Sequence, residues 1–563
     1  MAPYKLYPSH PIGDLREMLA DSARRYPMRP ALLQKEHGFY QAYSYVRLKT
    51  DVLALGEALC ARGFGGKRII VLGENSYSWC VSYLTAVTGL GVAVPTDKEL
   101  PTEEVANIAA ISEAALILYS EKYEEKLALV PDTVERFSFH DIRDLIDEGH
   151  DLLSEGSTLF AQRPIDRDAM AALIFTSGTT GVSKGVMLSH RNICHTMENL
   201  AKMVRITPED RALSILPLHH VYECTCGFLY PLSQGASVAF AEGVRYVMRN
   251  LKEVSPSKML CVPLLIETMY RKILANIRKK GIEKKVETLL TATDQIFPPS
   301  ARMAAKKKIF REIHASFGGR LDLLVSGGAP IDPEVLRGLR RFGLRVIQGY
   351  GLTESAPLAA VNHDSYYSDR SAGLCLPEGE LKIVDAEEDG VGEICYRGAN
   401  VMLGYYNAPE LTDEVIKDGW LHTGDIGFID RRGFLVITGR KKNVIVKANG
   451  KNVFPEELEA YLGRDALVSE SAVLGIHNPK KNDYDLVAVI VPDGEVARER
   501  KLDVEGIESA ISELVRSVND TVQTYKRIDV TILRSEELPK NTTRKIKRFE
   551  LPALVMEEYK KRT

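Results

Sequence analysis

A cluster of hydroxyls, glycines and one cation lies in the stretch "LIFTSGTTGVSKGVMLSH", Leu173 to His190. The apolar run that opens the stretch ends at Thr176, and Lys184 precedes the next apolar residues. Exposed hydroxyls, a lysine, and glycines that bring the backbone close would make a cradle for a polyphosphate. The alternative is an ordinary surface turn. The cradle is not a Walker A loop, because no register supplies G-x-x-x-x-G-K-[ST].

The roles of four further charged residues stay open when the residues are considered alone. Glu354 lies in the Gly-rich stretch "QGYGLTES", and a carboxylate is a hard oxygen ligand of the kind that magnesium prefers, although a lone Glu is usually just solvated. Asp425, in "GWLHTGDIG", can accept two hydrogen bonds from a cis-diol, although "GDIG" would also serve as a turn. Arg440 suits a ribose, a phosphate or an ion pair with an acid, and Lys545 is one cation of a basic tail.

The elements that must position these residues follow one pattern in the first two thirds of the chain. A short apolar run, a turn and a helical stretch recur, as in "KRIIVLGENSYSWCVSYLTAV" and "DLLVSGGAPIDPEVLRGLRRFG". In the second stretch we expect Asp332 to cap a helix that starts at Pro333 and is followed by Gly343. The pattern predicts parallel sheets covered by helices on both faces, with ligands at the carboxyl ends of the strands.

The pattern changes near residue 380. "GELKIVDAEEDGVGEICYRGANVMLGYY" alternates apolar and polar residues, which indicates antiparallel hairpins. Strands, a helix over "VEGIESAISELVRSV", a strand "RIDVTIL" and the basic tail then predict a small α+β domain. We therefore expect an α/β protein with a large domain over residues 1–440 and a small one over 441–563, joined by a hinge near Gly439–Lys442.

Composition excludes several classes of protein. Of the 563 residues, 45% are hydrophobic and 26% charged, which is typical of a globular protein, and the net charge of −3 provides no cationic field for nucleic acid. The N-terminus has no apolar core of a signal peptide, and no apolar run is long enough to span a bilayer. The eight scattered cysteines favour reduced thiols in a cytoplasmic protein. Contact of the basic runs with a membrane surface stays open, as does the oligomeric state.

The phosphate loop closely resembles that of the adenylate-forming enzymes: acyl-CoA synthetases, peptide-synthetase adenylation domains and luciferases. Other motifs follow in the order of that family. "SGGAP" resembles its adenine-side loop, "QGYGLTES" its α-phosphate and magnesium motif, and "GWLHTGDIG" its ribose motif. "GRKKNVIVKANGKNVFPEELE" resembles the hinge and thiol-channel motif, and "LPKNTTRKIKR" the catalytic-lysine motif. The resemblance covers essentially the whole chain, and it implies a small β-barrel-like part and a mobile C-terminal domain.

The resemblance implies ATP, Mg²⁺ and coenzyme A as cofactors and substrates. It assigns catalysis to Lys545, Thr353 and Glu354, with Glu354 on the metal. Lys442 would be the hinge, Gly450 would border the thiol channel, and His220 and Gly327 would belong to the acyl pocket. The residues implied in ATP or AMP binding are Thr176, Ser177, Gly178, Thr179, Thr180, Gly181, Lys184, Ser326, Gly327, Gly328, Ala329, Pro330, Gln348, Gly349, Tyr350, Gly351, Thr353, Asp425 and Arg440.

The implied reaction activates a carboxylate, which is a poor electrophile because its leaving group would be oxide. Attack on the α-phosphate of ATP releases pyrophosphate and forms an acyl-adenylate, from which a thiol displaces AMP. "LPLHHVYECTCGFLYPL" resembles the fatty acyl-CoA synthetase version of the motif near the substrate, so the expected acid is a medium- or long-chain fatty acid. Glu223 lies close to the sequence position of the Asp with which amino-acid-activating relatives bind an amine, so an acid that carries an amine stays open.

Several alternatives stay open. The acid could be an aryl acid, and the thiol could belong to an acyl carrier protein, with coenzyme A the default because no carrier domain is fused. A non-catalytic nucleotide or acyl sensor on the same fold is the hypothesis from another class. The presence of Glu354, Asp425 and Lys545 argues against that sensor. One departure from the family pattern is Arg544, where many relatives have Gly before the lysine.

Overall fold

The computed structural model describes residues 4–177, 183–386, 388, 390–449, 451–540 and 546–563. The chain forms two compact units. The first comprises Met1–Leu381, Tyr396–Leu421 and Arg431–Leu435, and the second comprises Lys382–Cys395, His422–Asp430 and Val436–Thr563. The predicted boundary between residues 440 and 441 stays a prediction about which segment moves as a domain. Among the described residues, no helix combines the length and the apolar character that crossing a membrane requires.

Two sheets of mostly parallel strands form the centre of the first unit. One sheet contains the consecutive strands β15-β14-β13-β12-β11-β9-β10-β1-β2, and the other has the order β18-β8-β7-β4-β3-β5-β6. The strands of the first sheet are β1 (Pro30–Glu36), β2 (Phe39–Ser44), β9 (Arg211–Ser214), β10 (Ser237–Phe240), β11 (Lys258–Cys261), β12 (Leu323–Ser326), β13 (Arg345–Tyr350), β14 (Ala360–Val361) and β15 (Gly373–Cys375). The strands of the second are β3 (Lys67–Leu72), β4 (Gly91–Thr96), β5 (Leu116–Tyr119), β6 (Glu135–Ser138), β7 (Met170–Ser177), β8 (Ser183–Ser189) and β18 (Gly404–Tyr405).

Helices of the first unit pack their apolar residues with those of the sheets. In α13, Asp332 accepts a hydrogen bond from the Glu334 backbone N–H at 2.8 Å, Pro333 opens the helix, and Gly343 follows with φ +87°, so the predicted caps are confirmed. The helices are α1 (Leu15–Arg25), α2 (Tyr45–Ala61), α3 (Tyr77–Thr85), α4 (Thr102–Ile111), α5 (Asp141–Ser154), α6 (His190–Met203), α7 (Tyr230–Ser233), α8 (Val247–Val254), α9 (Pro263–Lys279), α10 (Glu283–Ile296), α11 (Pro299–Ile309), α12 (Arg311–Ser316), α13 (Pro333–Arg341) and α14 (Pro409–Val415).

The second unit is α+β, as predicted. Strands β24 and β25 pair antiparallel and β26 adds parallel to β25, while α17, capped by Asp503, packs apolar residues such as Ile511 into the same core. Its elements are β22 (Ile445–Val446), β23 (Asn452–Val453), α15 (Pro455–Leu462), β24 (Val468–Asn478), β25 (Asp483–Pro492), α16 (Gly494–Glu499), α17 (Val504–Thr521), β26 (Val530–Leu533) and α18 (Leu551–Arg562). Residues 380–440, which are divided between the two units, form β16 (Glu380–Val384), β17 (Gly392–Arg397), β19 (Ile416–Lys417), β20 (Trp420–Ile429) and β21 (Phe434–Arg440).

The expected fold class is confirmed. Parallel pairing joins β9, β10, β11, β12 and β13 in one sheet and β3, β4, β5, β6 and β7 in the other. Strand β3 shows why the sequence predicts this arrangement. Its residues Ile69 to Leu72 are all buried, as a strand covered on both faces requires.

Candidate active site

The predicted phosphate loop joins an antiparallel hairpin at the edge of parallel strands. Thr176 and Ser177 end β7, and the hairpin register places them opposite Lys184 and Ser183 of β8. The loop therefore follows the carboxyl end of a strand that pairs in parallel with β4, which is where ligands bind in such sheets. Gly178, Thr179, Thr180 and Gly181 lie outside the described residues.

Tyr405 joins two of the predicted site residues. The Lys184 ammonium nitrogen is 5.2 Å from the centre of the Tyr405 ring, and the Tyr405 hydroxyl donates a 2.8 Å hydrogen bond to Oε1 of Glu354. Burial and the Glu354 carboxylate raise the pKa of the Tyr405 phenol, so the phenol keeps its proton and acts as a donor. The backbone N–H of Met402 also donates to the Glu354 carbonyl, at 2.9 Å.

The two Gly-rich motifs of the first sheet lie side by side. Ser326 at the end of β12 is opposite Gln348 of β13, so the adenine-side loop, Gly327 to Pro330, begins next to Gly349 and Tyr350. Position 351 accommodates only glycine, because a Cβ there would lie 1.8 Å from the Pro357 carbonyl oxygen. Thr353 and Glu354 then form a short helical turn, Thr353–Ser355.

The second unit brings together the predicted ribose-binding residues. Nε of Arg440 lies 2.8 Å from Oδ1 of Asp425, whose side chain is buried. Asp425 comes from β20 and Arg440 from β21, and only the aspartate is buried, since the Arg440 side chain is 42% exposed. The arginine thus makes the ion pair with an acid that the sequence leaves open beside the ribose role. Lys442 lies in the short helix Lys441–Asn443. Gly450 and Lys545 lie outside the described residues.

An apolar cavity lies against the first sheet. One wall is the π-helical segment Tyr222–Leu229 with residues of α6 and α7, and the other wall is strands β9, β11, β12 and β13. Its sheet residues run from the beginning of the strands to their carboxyl half, so the cavity extends along the strands. The lining residues are Leu200, Val204, Ile206, Ala212, Leu213, Tyr222, Glu223, Cys226, Gly227, Tyr230, Pro231, Lys258, Met259, Leu260, Leu323, Val325, Gly349, Leu358 and Val361.

The residues predicted for the acyl pocket border this cavity without lining it. A Cβ on Gly327 would lie 2.7 Å from the Tyr222 ring, so glycine lets the adenine-side loop contact the cavity wall closely. The His220 carbonyl accepts a 2.9 Å hydrogen bond from the Cys224 N–H, so His220 is bonded to the first turn of the π-helical segment. The ring of His220 lies 4.1 Å from that of His219, whose pKa is lowered by burial.

Asn75 positions the segment that precedes His220. Its amide nitrogen donates to the Leu216 carbonyl at 2.7 Å, and its Oδ1 accepts from the Leu218 N–H at 3.0 Å. Sequence reasoning missed Asn75 and Tyr405 as site residues. "GENSYSWC" contains Asn75 but does not show what it contacts, and Tyr405 lies in none of the quoted nucleotide motifs.

Two family models cover most of the chain. Residues 19–406 match the model for the AMP-binding enzyme, and residues 442–561 match the model for the AMP-binding enzyme C-terminal domain. The chain belongs to the AMP-binding enzyme family. The predicted membership of the adenylate-forming superfamily is thereby confirmed, as is the prediction of a nucleotide-binding enzyme.

Among the relatives of this AMP-binding enzyme is the long-chain-fatty-acid–CoA ligase of Salmonella typhimurium, which is 30% identical over 95% of this chain and 94% of that protein. A chloroplastic long-chain-fatty-acid–[acyl-carrier-protein] ligase of Arabidopsis thaliana is 28% identical over 88% of this chain and 78% of the relative. The o-succinylbenzoate CoA synthetase of Bacillus subtilis, solved with an acyl-adenylate, has the same fold, with a TM-score of 0.74, 22% identity and coverage of 97% and 98% of the two chains.

Proposed function

We propose that this enzyme uses ATP to convert a medium- or long-chain fatty acid to an acyl-adenylate and then transfers the acyl group to coenzyme A. The observation that carries the proposal is the apolar cavity, which reaches Val325 and Gly349 beside the predicted nucleotide loops. An alkyl chain gains about 0.8 kcal/mol for each methylene that leaves water for such a cavity. The two relatives named above as ligases of long-chain fatty acids support the same class of acid.

In the proposed first half-reaction, a carboxylate oxygen of the acid attacks the α-phosphorus of ATP and pyrophosphate leaves. Negative charge develops on phosphate oxygens, so catalysis consists mainly of positioning and of charge stabilisation. Lys184 and the hydroxyls of the phosphate loop would hold the outer phosphates, Thr353 would contact the α-phosphate, and Lys545 would stabilise the transition state. Residues Ser326–Pro330 and Gln348–Gly351 would bind the adenine side, and Asp425 with Arg440 the ribose.

Glu354 fits the role of a magnesium ligand. Its half-buried carboxylate accepts one hydrogen bond from Tyr405, and a carboxylate offers several further lone pairs. Magnesium is usually held by one or two carboxylates together with substrate phosphates, and when bound it would neutralise charge on those phosphates. Tyr405 would orient the Glu354 carboxylate and hold Lys184 beside it.

In the proposed second half-reaction, the thiol attacks the acyl carbon and AMP leaves. The domain over residues 441–563 would turn about Lys442, which would move Lys545 away and open a channel beside Gly450. Coenzyme A is the preferred thiol, and an acyl carrier protein is the alternative that the Arabidopsis relative supports. All eight cysteines are free thiols, which supports action in a reducing compartment such as the cytoplasm.

Acid-dependent exchange of labelled pyrophosphate into ATP tests the first half-reaction. The panel should contain fatty acids of increasing length, acetate, amino acids and aryl acids. Each acid that supports the exchange is then tested for thioester formation with coenzyme A and with a carrier protein. We expect kcat/KM to rise with chain length until the cavity is full. Preference for acetate or amino acids contradicts the proposed acid, and reaction with aryl acids alone assigns another subfamily. No exchange with any acid contradicts catalysis and favours the sensor.

A further inference from the structure

Glu223 is an unusual residue for an apolar cavity wall. It is 1% exposed and lines the cavity, and its Oε2 atom is buried without a hydrogen-bond partner among the described residues. The other charged lining residue, Lys258, is paired, because its Nζ lies 3.1 Å from Oδ2 of Asp322. A buried polar atom that makes no hydrogen bond destabilises the fold, because it has lost its bonds to water without replacement. The π-helical segment therefore carries a polar group that a hydrocarbon substrate would leave unsatisfied.

The surroundings of Glu223 keep the carboxyl group in place. The Ser214 side chain lies beside it, and a Cβ on Gly227 would lie 2.7 Å from its carboxyl carbon. Glycine at position 227 thus leaves the space that the carboxyl group occupies. Burial raises the pKa of Glu223 to about 8, so near neutral pH the group is a carboxylic acid with one donor and one acceptor.

We propose that Glu223 forms a polar subsite in the acyl cavity that binds a hydroxyl group on the alkyl chain of the substrate. The proposal rests on the proposed function and narrows its substrate to a hydroxylated fatty acid. A hydroxyl both donates and accepts, and so matches both atoms of a neutral carboxyl, whereas a ketone only accepts. An ammonium group would require an ionised Glu223 and would bury an ion pair in an apolar wall, at a large desolvation cost.

The register of the sheet places this subsite towards the carboxyl end of the substrate. Ser214 is the last residue of β9, and Ala212 pairs with Lys258, so Ser214 is level with Leu260 and, through β12, with Val325. Val325 directly precedes Ser326, where the adenine-side loop begins. Because a strand advances about 3.3 Å per residue, Val325 is only about 3.3 Å along the strand from the start of that loop. We therefore expect the hydroxyl on one of the first carbons of the chain rather than near its methyl end.

The test compares plain and hydroxylated fatty acids of equal length, with the hydroxyl moved stepwise from carbon 3 towards the methyl end. Pyrophosphate exchange gives kcat/KM for wild type, Glu223→Gln and Glu223→Met. We expect wild type to prefer one carboxyl-proximal hydroxy acid at least ~10-fold over the plain acid, since a site built to bond a hydroxyl discriminates against its absence. Glu223→Met should abolish that preference, while Glu223→Gln, which keeps a donor and an acceptor, should retain part of it.

Leu260→Met is the matched control in the same cavity, and it should change kcat/KM for both acids of a pair alike. If Glu223→Met does not fold, Gly227→Ala displaces the carboxyl group without removing it and should also lower the preference. The subsite would be overturned, and the proposed function left standing, by either of two results. One is the same ratio of kcat/KM for hydroxylated over plain acid in wild type and in Glu223→Met, and the other is a preference for amino-substituted acids. Absence of exchange with every acid would overturn the proposed function and the subsite with it.

Discussion

The predicted nucleotide loops and the proposed acyl cavity are built on the same first sheet in different ways. The loops are short continuous stretches of glycine, hydroxyl and charged residues at the carboxyl ends of strands, as at Ser326–Pro330 and Gln348–Gly351. The cavity takes its lining residues one or a few at a time from across a wide span of the chain, between Leu200 and Val361. The proposed nucleotide site thus consists of continuous motifs, whereas the proposed acyl site is a surface that forms only when distant segments fold together.

Recognition chemistry explains the contrast. A polyphosphate needs donors at set positions, so backbone N–H groups, hydroxyls and a lysine must follow one another in a set order. An alkyl chain needs volume and the exclusion of water, which many combinations of apolar side chains provide. We therefore expect changes in the loops to reduce activity with every acid, and changes in the cavity to alter which acid is used.

Lys545→Ala should give the largest effect. Loss of one preorganised electrostatic stabiliser should reduce adenylation roughly 10²–10³-fold with every acid in the panel. Supplied with synthetic acyl-adenylate and coenzyme A, the same variant should still make thioester at a good rate. Equal damage to both half-reactions would mean that Lys545 is structural or that the domain does not move.

Gly450→Leu is the counterpart of that variant. A side chain there should obstruct the thiol channel, reduce thioester formation and spare pyrophosphate exchange. Lys442→Pro should resemble it, because a fixed φ stiffens the proposed hinge. Intact thioester formation by Gly450→Leu would show that the channel lies elsewhere.

Glu354→Gln should reduce magnesium-dependent adenylation by about 100-fold, and excess magnesium should restore part of the loss. Tyr405→Phe removes only the hydrogen bond that orients the carboxylate, so its loss should be smaller, about 10-fold. Measuring pyrophosphate exchange at increasing magnesium concentrations gives the loss of activity for each of the two variants. Turnover of Glu354→Gln at the wild-type rate over the whole titration would remove the carboxylate from the mechanism.

Ala212→Phe should shorten the preferred acid without harming adenylation of short ones. Ala212 lines the cavity near the beginning of β9, level with Leu323 at the opposite end of β12 from the adenine-side loop. Each methylene excluded there should lower kcat/KM about fourfold, which corresponds to ~0.8 kcal/mol. Val325→Phe, close to the loops, should instead lower kcat/KM for short and long acids alike. An unchanged chain-length profile for Ala212→Phe would argue against this cavity as the acyl site.

Glu223→Gln should change the pH dependence of stability rather than the rate of adenylation. The pKa of Glu223 rises from 4.5 to about 8 on burial, so the folded enzyme holds its proton more tightly than the unfolded chain. The stabilising contribution is therefore present below the unfolded value and is lost as the pH rises through the folded value. Between about pH 5 and about pH 9, the Tm of wild type should fall by more than that of Glu223→Gln. Parallel Tm curves would indicate that Glu223 does not titrate in this range.

Much of the fold could be predicted from local pattern. Alternating apolar runs and helical stretches predicted the parallel sheets, and Asp332 with Pro333 predicted the beginning of α13, because caps and strand burial depend on neighbouring residues. Among the candidate site residues, the glycines and hydroxyls of the loops were recognisable for the same reason. Tyr405 was not, since it contacts Glu354 across 51 positions of sequence.

The sequence by itself determined the family, the order of the nucleotide motifs and the α/β class, because each depends on residues close together in the chain. Only the tertiary structure decided which side chains meet across the sheets. It joined Lys184 to Glu354 through Tyr405, used Asn75 to hold the segment before His220, and buried Glu223 in an apolar wall beside Gly227. Burial and partner choice depend on packing between distant segments, and no local pattern encodes them.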